Sequence, residues 1–255
     1  MTVTKIADRT ALSYWFPKLQ EAGIRTPDTV LVPMPVEAQQ CVWAAFDGKD
    51  GTPSEIAAYN DFIERIRKAV GIVRTPAFLR TDYTSGKHEW RRTCYLPTMD
   101  HAEIAAHVFA IAEYSELNGD FGELPWDMWA VREYLPVQPV AICPRYEDMP
   151  VVREYRFFVE RGRIRCWHPY WPLDALQSGG AEHSDAVFRD LCHPTQADDT
   201  MMKMLAIAVS EAIPGAWSVD LLETKRGWYV TDMAEAHKSW HWRECVNNPK
   251  RRDDS

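Results

Sequence analysis

Two stretches constrain this chain more than any others: EYRFFVERGRIRCW (154–167) and SVDLLETKRGWYVTDM (218–233). Each sets two runs rich in β-branched and aromatic residues on either side of a turn that contains one glycine. A turn that short leaves no room for a crossover helix, so the two strands must pair antiparallel. TVLVP (29–33), AFLRTD (77–82), RTCYLP (92–97) and WAVREYLPV (129–137) are further strand candidates. The sheets are therefore expected to be largely antiparallel.

Helices punctuate these strands. TPSEIAAYNDFIERIRKAVG opens with Thr52 as cap, Pro53 in the first turn and Glu55 closing a capping box, and Ile56, Tyr59, Ile63, Ile66 and Val70 form one stripe before Gly71. DHAEIAAHVFAIAEYSELNG repeats the pattern, with Asp100 as cap, Glu103 three residues on and Gly119 as stop. DDTMMKMLAIAVSEAIPG is a third helix whose Met and Leu stripe reads as core packing. Helices and antiparallel strands together make the class α+β.

Composition narrows the function classes. Of 255 residues, 46% are hydrophobic and 26% charged, which excludes disordered and low-complexity classes. The formal net charge of -8 repels a phosphate polymer or an anionic membrane at long range, so neither nucleic acid nor membrane is an expected partner and any phosphate site must be local. No apolar run is long enough to span a bilayer and the N-terminus lacks a signal-peptide core, so a cytoplasmic location is expected. The six cysteines lie far apart without a C-x-x-C pair, as suits reduced thiols. No P-loop, dinucleotide fingerprint or G-x-S-x-G elbow is present.

The hairpins line up charge. If Lys225, Arg226 and Gly227 form a three-residue loop, Thr224 pairs with Trp228 and the ladder sets Asp220 opposite Asp232. Two facing carboxylates call for a cation between them, and hard oxygen ligands suit Mg²⁺ or Mn²⁺, with Glu235 as a third oxygen. A register one residue different would separate the pair. A two-residue turn at Arg161-Gly162 puts Glu154, Arg156, Phe158 and Glu160 on one face with Arg163, Arg165 and Trp167. That pattern is either a solvated face laced with ion pairs or a cleft wall from which Arg156 meets a phosphate.

Three smaller signals remain. RTDYTSGKHEW (80–90) places Arg80, Asp82 and Lys87 around a small, mobile Ser85-Gly86 pair at a strand end, a setting that suits a phosphate. Pro136 and Pro139 interrupt the strand ending in Glu133, Tyr134 and Leu135, so that backbone is either an edge able to read a flat base or a linker between lobes. His237, His241 and Cys245 recur every four residues, and on one helical face they could bind zinc; an aromatic, basic rim contacting substrate is the preferred reading.

In that order, Arg80, Lys87, the REYLPV hinge, EYRFFV with Arg156, and the closing hairpin with Asp220 and Asp232 resemble the ATP-grasp superfamily over roughly residues 75 to 240, in particular its short clade with two arginines and one lysine in the nucleotide site. The resemblance implies two α+β lobes gripping ATP between antiparallel sheets, with residues 1–75 a reduced N-terminal lobe, 76–245 the core and 246–255 a flexible tail. By position, Arg80 and Lys87 would contact the α- and β-phosphates, Glu133, Tyr134 and Leu135 would hold the adenine, Arg156 and Lys87 would act on the transferred phosphoryl group, and Asp220 with Asp232 would bind magnesium. The implied reaction is ATP-dependent joining of a carboxylate to an amine through an acylphosphate, on small-molecule or peptide substrates not specified by the sequence.

One position departs from the pattern. Where the family carries an asparagine two residues after its last acidic ligand, this chain has Ala234. Glu235 substitutes if the strand bulges; otherwise a nucleotide-binding protein without ligase turnover follows. The sequence is also compatible with a kinase-like phosphotransferase and with a Trp-rich protein-interaction module.

Overall fold

The computed structural model describes residues 8–117, 124–243, 245, 247 and 248. In chain order its helices are α1 (Leu12–Glu21), α2 (Val36–Phe46), α3 (Pro53–Val73), α4 (His101–Leu117), α5 (Leu173–Ser178), α6 (Ser184–Leu191) and α7 (Gln196–Ala212). Its strands are β1 (Thr29–Pro33), β2 (Ala77–Thr81), β3 (Tyr95–Leu96), β4 (Met128–Glu133), β5 (Ala141–Cys143), β6 (Met149–Val151), β7 (Glu154–Glu160), β8 (Arg163–Pro169), β9 (Ala216–Thr224) and β10 (Gly227–Glu235). No described helix is long and apolar enough to cross a membrane. Gly119 and the 249–255 part of the expected tail lie outside the described residues.

The chain forms two compact units whose division does not run along a single cut: 27–135 with 146–149 make one, and the residues up to Thr26, 136–145 and from Pro150 onward make the other. The first 75 residues are thus shared between them. The chain passes from one unit to the other at Leu135–Pro136, within the proline-interrupted segment.

The 27–135 unit is a four-stranded sheet, β1-β4-β2-β3, antiparallel throughout. Alternation along β2 sends Ala77 and Leu79 to a face shared with Val131, Trp129 and Val32, all buried in one apolar core with α3 and α4. Phe78 and Arg80 face the other way, opposite Arg132 and Ala130. Helix α3 begins at the expected capping box, Thr52 Oγ1 accepting from the Glu55 amide at 3.4 Å and Glu55 from the Thr52 amide at 2.7 Å. It runs past Gly71 to Val73, and Phe62, Ile63, Ile66 and Val70 are buried while Ile56 stays exposed. Thr52→Ala is expected to lower stability by about 1 kcal/mol in chemical unfolding, the usual cost of a lost N-cap; an unchanged midpoint would contradict it.

The other unit is built on the sheet β10-β9-β7-β8, again antiparallel. Helix α7 packs against β7, β8 and β9, and α1 against α7 and β10. The face with Tyr155, Phe157, Trp217, Val219 and Leu221 is buried, and Trp217 Nε1 donates to the Ile213 carbonyl at the end of α7, 3.1 Å away. The opposite face of this sheet carries the polar residues.

Candidate functional site

Both hairpins depart from the expected pairing by one residue, with opposite consequences. The β9–β10 loop is Lys225-Arg226, with Gly227 at φ +101 paired to Thr224. A bulge between Val230 and Asp232 then restores the lost residue, so Asp232 stands directly opposite Asp220. The extra residue, Thr231, reaches the Asp220 carbonyl at 3.3 Å and Glu154 Oε1 at 3.4 Å with its hydroxyl. Two shifts cancel, and the carboxylate pair forms.

In the β7–β8 hairpin the turn at Arg161-Gly162 is as expected, Glu160 pairing with Arg163, but a bulge between Phe158 and Val159 opposes Phe158 to Cys166 and Arg156 to His168. One added residue exchanges faces. Trp167 therefore lies on the apolar side, stacked on Phe157 at 5.7 Å, while Cys166 and His168 take its place beside Arg156.

Arg156, opposite Asp220 across β7–β9, holds it with a guanidinium fork, Nε to Oδ1 at 2.7 Å and Nη2 to Oδ2 at 2.8 Å. The pair is secluded, at 15% and 5% side-chain exposure. Burial opposes charge on Arg156, but the Asp220 carboxylate outweighs it and holds the pKa above the ordinary arginine value. The charge of Asp232 adds to this. Tyr170 lies beneath the guanidinium at 4.9 Å, and Nη1 donates to the Trp240 carbonyl at 3.3 Å. Arg156 thus places one positive charge beside the facing carboxylates, bonded to Asp220.

Glu235 does not join this group. It pairs with Trp217, on the opposite side of the sheet from Asp232 by strand alternation, and makes ion pairs with Lys238 at 3.4 Å and Arg9 at 3.9 Å. The bulge precedes Asp232, so it does not rotate Glu235 towards the aspartates. Ala234 keeps the third position on that face, opposite Ser218.

In the other unit Arg80 is 5% exposed, with Thr81 and Asp82 also buried, and its Nε donates to the Thr81 carbonyl at 3.0 Å. Lys87 starts a short 3₁₀ turn (Lys87–Glu89) directly after Gly86, whose φ is +62. A Cβ on Gly86 would lie 3.1 Å from Thr93 and 3.2 Å from Tyr114, and Thr93 Oγ1 donates to its carbonyl at 2.8 Å. The loop expected to be mobile is held by packing. Cys94, pushed up to about 12 by burial, is near enough to both Lys87 and Arg80 for their charges to oppose that rise.

Tyr134 packs against Trp90 and Tyr95 at 6.1 and 5.3 Å, burial raising its pKa to about 12, and Leu135 is buried. The Glu133 amide is already donated to the Asp28 carbonyl at 2.7 Å, and Glu133 pairs with Ala77, on the opposite face from Arg80. Any backbone that reads a base therefore begins beyond the Glu133 amide.

The 237–245 segment is not one helical face. Among its described residues only Ala236–Lys238 is a 3₁₀ turn, and beyond it His241 lies on the polar face of the sheet. His241 comes to Phe158 at 4.2 Å and His168 at 5.3 Å between ring centres, and Ser239 Oγ bonds Ser218 Oγ. His237 is not part of that group. Tyr170, Thr231, His168 and the Trp240 carbonyl have no sequence signal of their own, because bulges and a non-helical turn bring them in.

Residues 66–247 match the family model for an ATP-grasp domain of the clade with two arginines and one lysine, family 3. Among solved structures, Cdc123 from Schizosaccharomyces pombe superposes with a TM-score of 0.55 at 14% identity, over 91% of this chain and 87% of that one. Its C-terminally truncated form gives 0.56 at 13% identity with the same coverage. At such identity the likeness concerns the fold alone. No curated protein matches the sequence. A family model that spans most of the chain, together with the two antiparallel sheets described above, shows that the chain belongs to the ATP-grasp domain family, in the third family of its two-arginine, one-lysine clade.

Proposed function

We propose that the protein binds ATP with a divalent cation, Mg²⁺ or Mn²⁺, and joins a carboxylate to an amine. The observation that carries this is the grouping of Asp220, Asp232 and Arg156 on one sheet face in a member of the ATP-grasp family. Arg80 and Lys87 are assigned to the α- and β-phosphates, Tyr134 and Leu135 with Glu133 to the adenine, and Arg156 with Lys87 to the transferred phosphoryl group. Asp220 and Asp232, two facing carboxylates with hard oxygen donors, would hold the cation. When bound, such an ion neutralises charge on the phosphates.

The proposed reaction has two steps. A substrate carboxylate oxygen attacks the γ-phosphorus, the bond to the β,γ-bridging oxygen breaks, and ADP leaves. The amine nitrogen then attacks the acyl carbon, inorganic phosphate departs, and the amine proton passes to solvent. Arg156 offers a planar fork that matches phosphoryl oxygens as well as it matches Asp220. Tyr170 and the Trp240 carbonyl hold it as well. The substrates are proposed to be small molecules or peptides.

Ala234 favours a second reading, in which the nucleotide is bound but not turned over, because the position two residues after Asp232 carries no ligand oxygen on its side chain. Calorimetric titration with a non-hydrolysable ATP analogue, with and without Mg²⁺, tests the shared premise. Magnesium-dependent binding is expected; none at millimolar nucleotide would overturn it. Incubation with ATP, pooled amino acids and small carboxylates then separates the readings: a new amide with ADP supports the ligase, a phosphorylated product a kinase-like transfer, and neither the binding-only form.

A further inference from the structure

The bulge in the β7–β8 hairpin brings Cys166 to the polar face of the sheet, where the described residues of the segment after Lys238, His241 among them, lie. Its Sγ lies 3.1 Å from His241 Nε2, and the ligand atoms of Cys166, His241 and Cys245 all lie within 4.8 Å of one another. We propose that these three side chains form a binding site for a zinc-class divalent cation, separate from the aspartate pair, that fastens this segment to β8.

Four features support it. Two thiols and an imidazole are a donor set that selects zinc over magnesium. On a tetrahedral zinc such atoms sit about 3.5–3.8 Å apart, as bond lengths of about 2.3 Å to sulfur and 2.0–2.1 Å to nitrogen require. The present spacing needs only small side-chain shifts to reach that.

The imidazole is already oriented. His241 Nδ1 lies 3.3 Å from the Trp242 carbonyl, and donation there leaves the Nε2 lone pair directed at Cys166. A backbone carbonyl on the far nitrogen is the arrangement that fixes metal-binding histidines. The same carbonyl accepts from the Cys245 amide at 3.1 Å and from Asn248 Nδ2 at 2.9 Å, so one backbone oxygen anchors two of the three ligands. Asn247 Nδ2 donates to the Arg165 carbonyl at 3.0 Å, tying the segment to the residue beside Cys166.

The surroundings restrict water. None of the three ligands is exposed, and Phe158, His168 and Trp242 pack around them, Trp242 stacked on His168 at 4.9 Å. His168 is 4% exposed, and its Nε2 has no hydrogen-bond partner among the described residues. An unpartnered buried nitrogen beside His241 is costly in a site built only for packing.

The test uses the full chain, reduced and stripped of metal, titrated with Co²⁺ alone. Saturation at one equivalent is expected, with thiolate charge-transfer absorption, visible bands of tetrahedral cobalt, and displacement by Zn²⁺. Cys166→Ser and Cys245→Ser should each weaken binding by more than about a hundred-fold, exceeding the 10–100-fold typical of an outer-shell change. Cys192→Ser should leave it unchanged, and circular dichroism without metal identifies any variant that has lost its fold. Absence of thiolate absorption in the folded parent overturns the proposal. So does absorption that survives both substitutions, or a Cys166–Cys245 disulfide that reforms on removal of the reductant and persists with Zn²⁺ present.

Discussion

Asp220→Ala is expected to cost about 3–5 kcal/mol of stability, the range for breaking a buried ion pair by removing one partner. The loss follows from what stays behind: the Arg156 guanidinium cannot discharge, and only 15% of its side chain meets water. Asp232, whose charge also reaches Arg156, keeps the loss near the lower end. A lower denaturant midpoint with an unchanged slope is the measured signature. Arg156→Met in the same chain should recover most of the loss, because it removes the stranded charge while retaining much of the volume. A single variant that loses less than about 1 kcal/mol would mean the pair behaves as a surface bridge, and would overturn the account.

Asp232→Asn is expected to separate folding from nucleotide chemistry. The carboxylate is half-buried and its Oδ1 accepts from the Met233 amide at 3.0 Å, an acceptor that an asparagine oxygen reproduces. Stability should stay within about 1 kcal/mol of the parent. The magnesium-dependent part of ATP affinity should vanish, and any ADP release should fall by at least about a hundred-fold, the usual effect of removing one group that stabilises transferred charge. Calorimetry at fixed nucleotide with varied Mg²⁺ reads the first effect and a coupled ADP assay the second. Parent-like magnesium dependence would remove Asp232 from the site, whatever its place in the sheet.

Some of this was legible in the residues alone. The capping box at Thr52, the extent of β1 and the turn at Arg161-Gly162 rest on local chemistry, and the structure has them where the residue types require. The pairing of Asp220 with Asp232 was also reached, but through a three-residue loop and an unbroken ladder, where the structure has a two-residue loop and a bulge at Thr231. Trp167 and Cys166 exchanged sides for the same kind of reason. No residue type announces a bulge, since it is settled by which face the remaining side chains can bury.

The sequence by itself determined that the sheets are antiparallel, that helices cover them, and that an acidic pair and an arginine recur at strand spacing, because these follow from turn length and period-two alternation. Only the tertiary structure decided that Arg156 grips Asp220, that Glu235 turns to the opposite face, and that Cys166 meets His241 across 75 residues of chain. Those outcomes depend on one-residue shifts that exchange the faces of a strand, and such shifts are fixed by packing against distant elements.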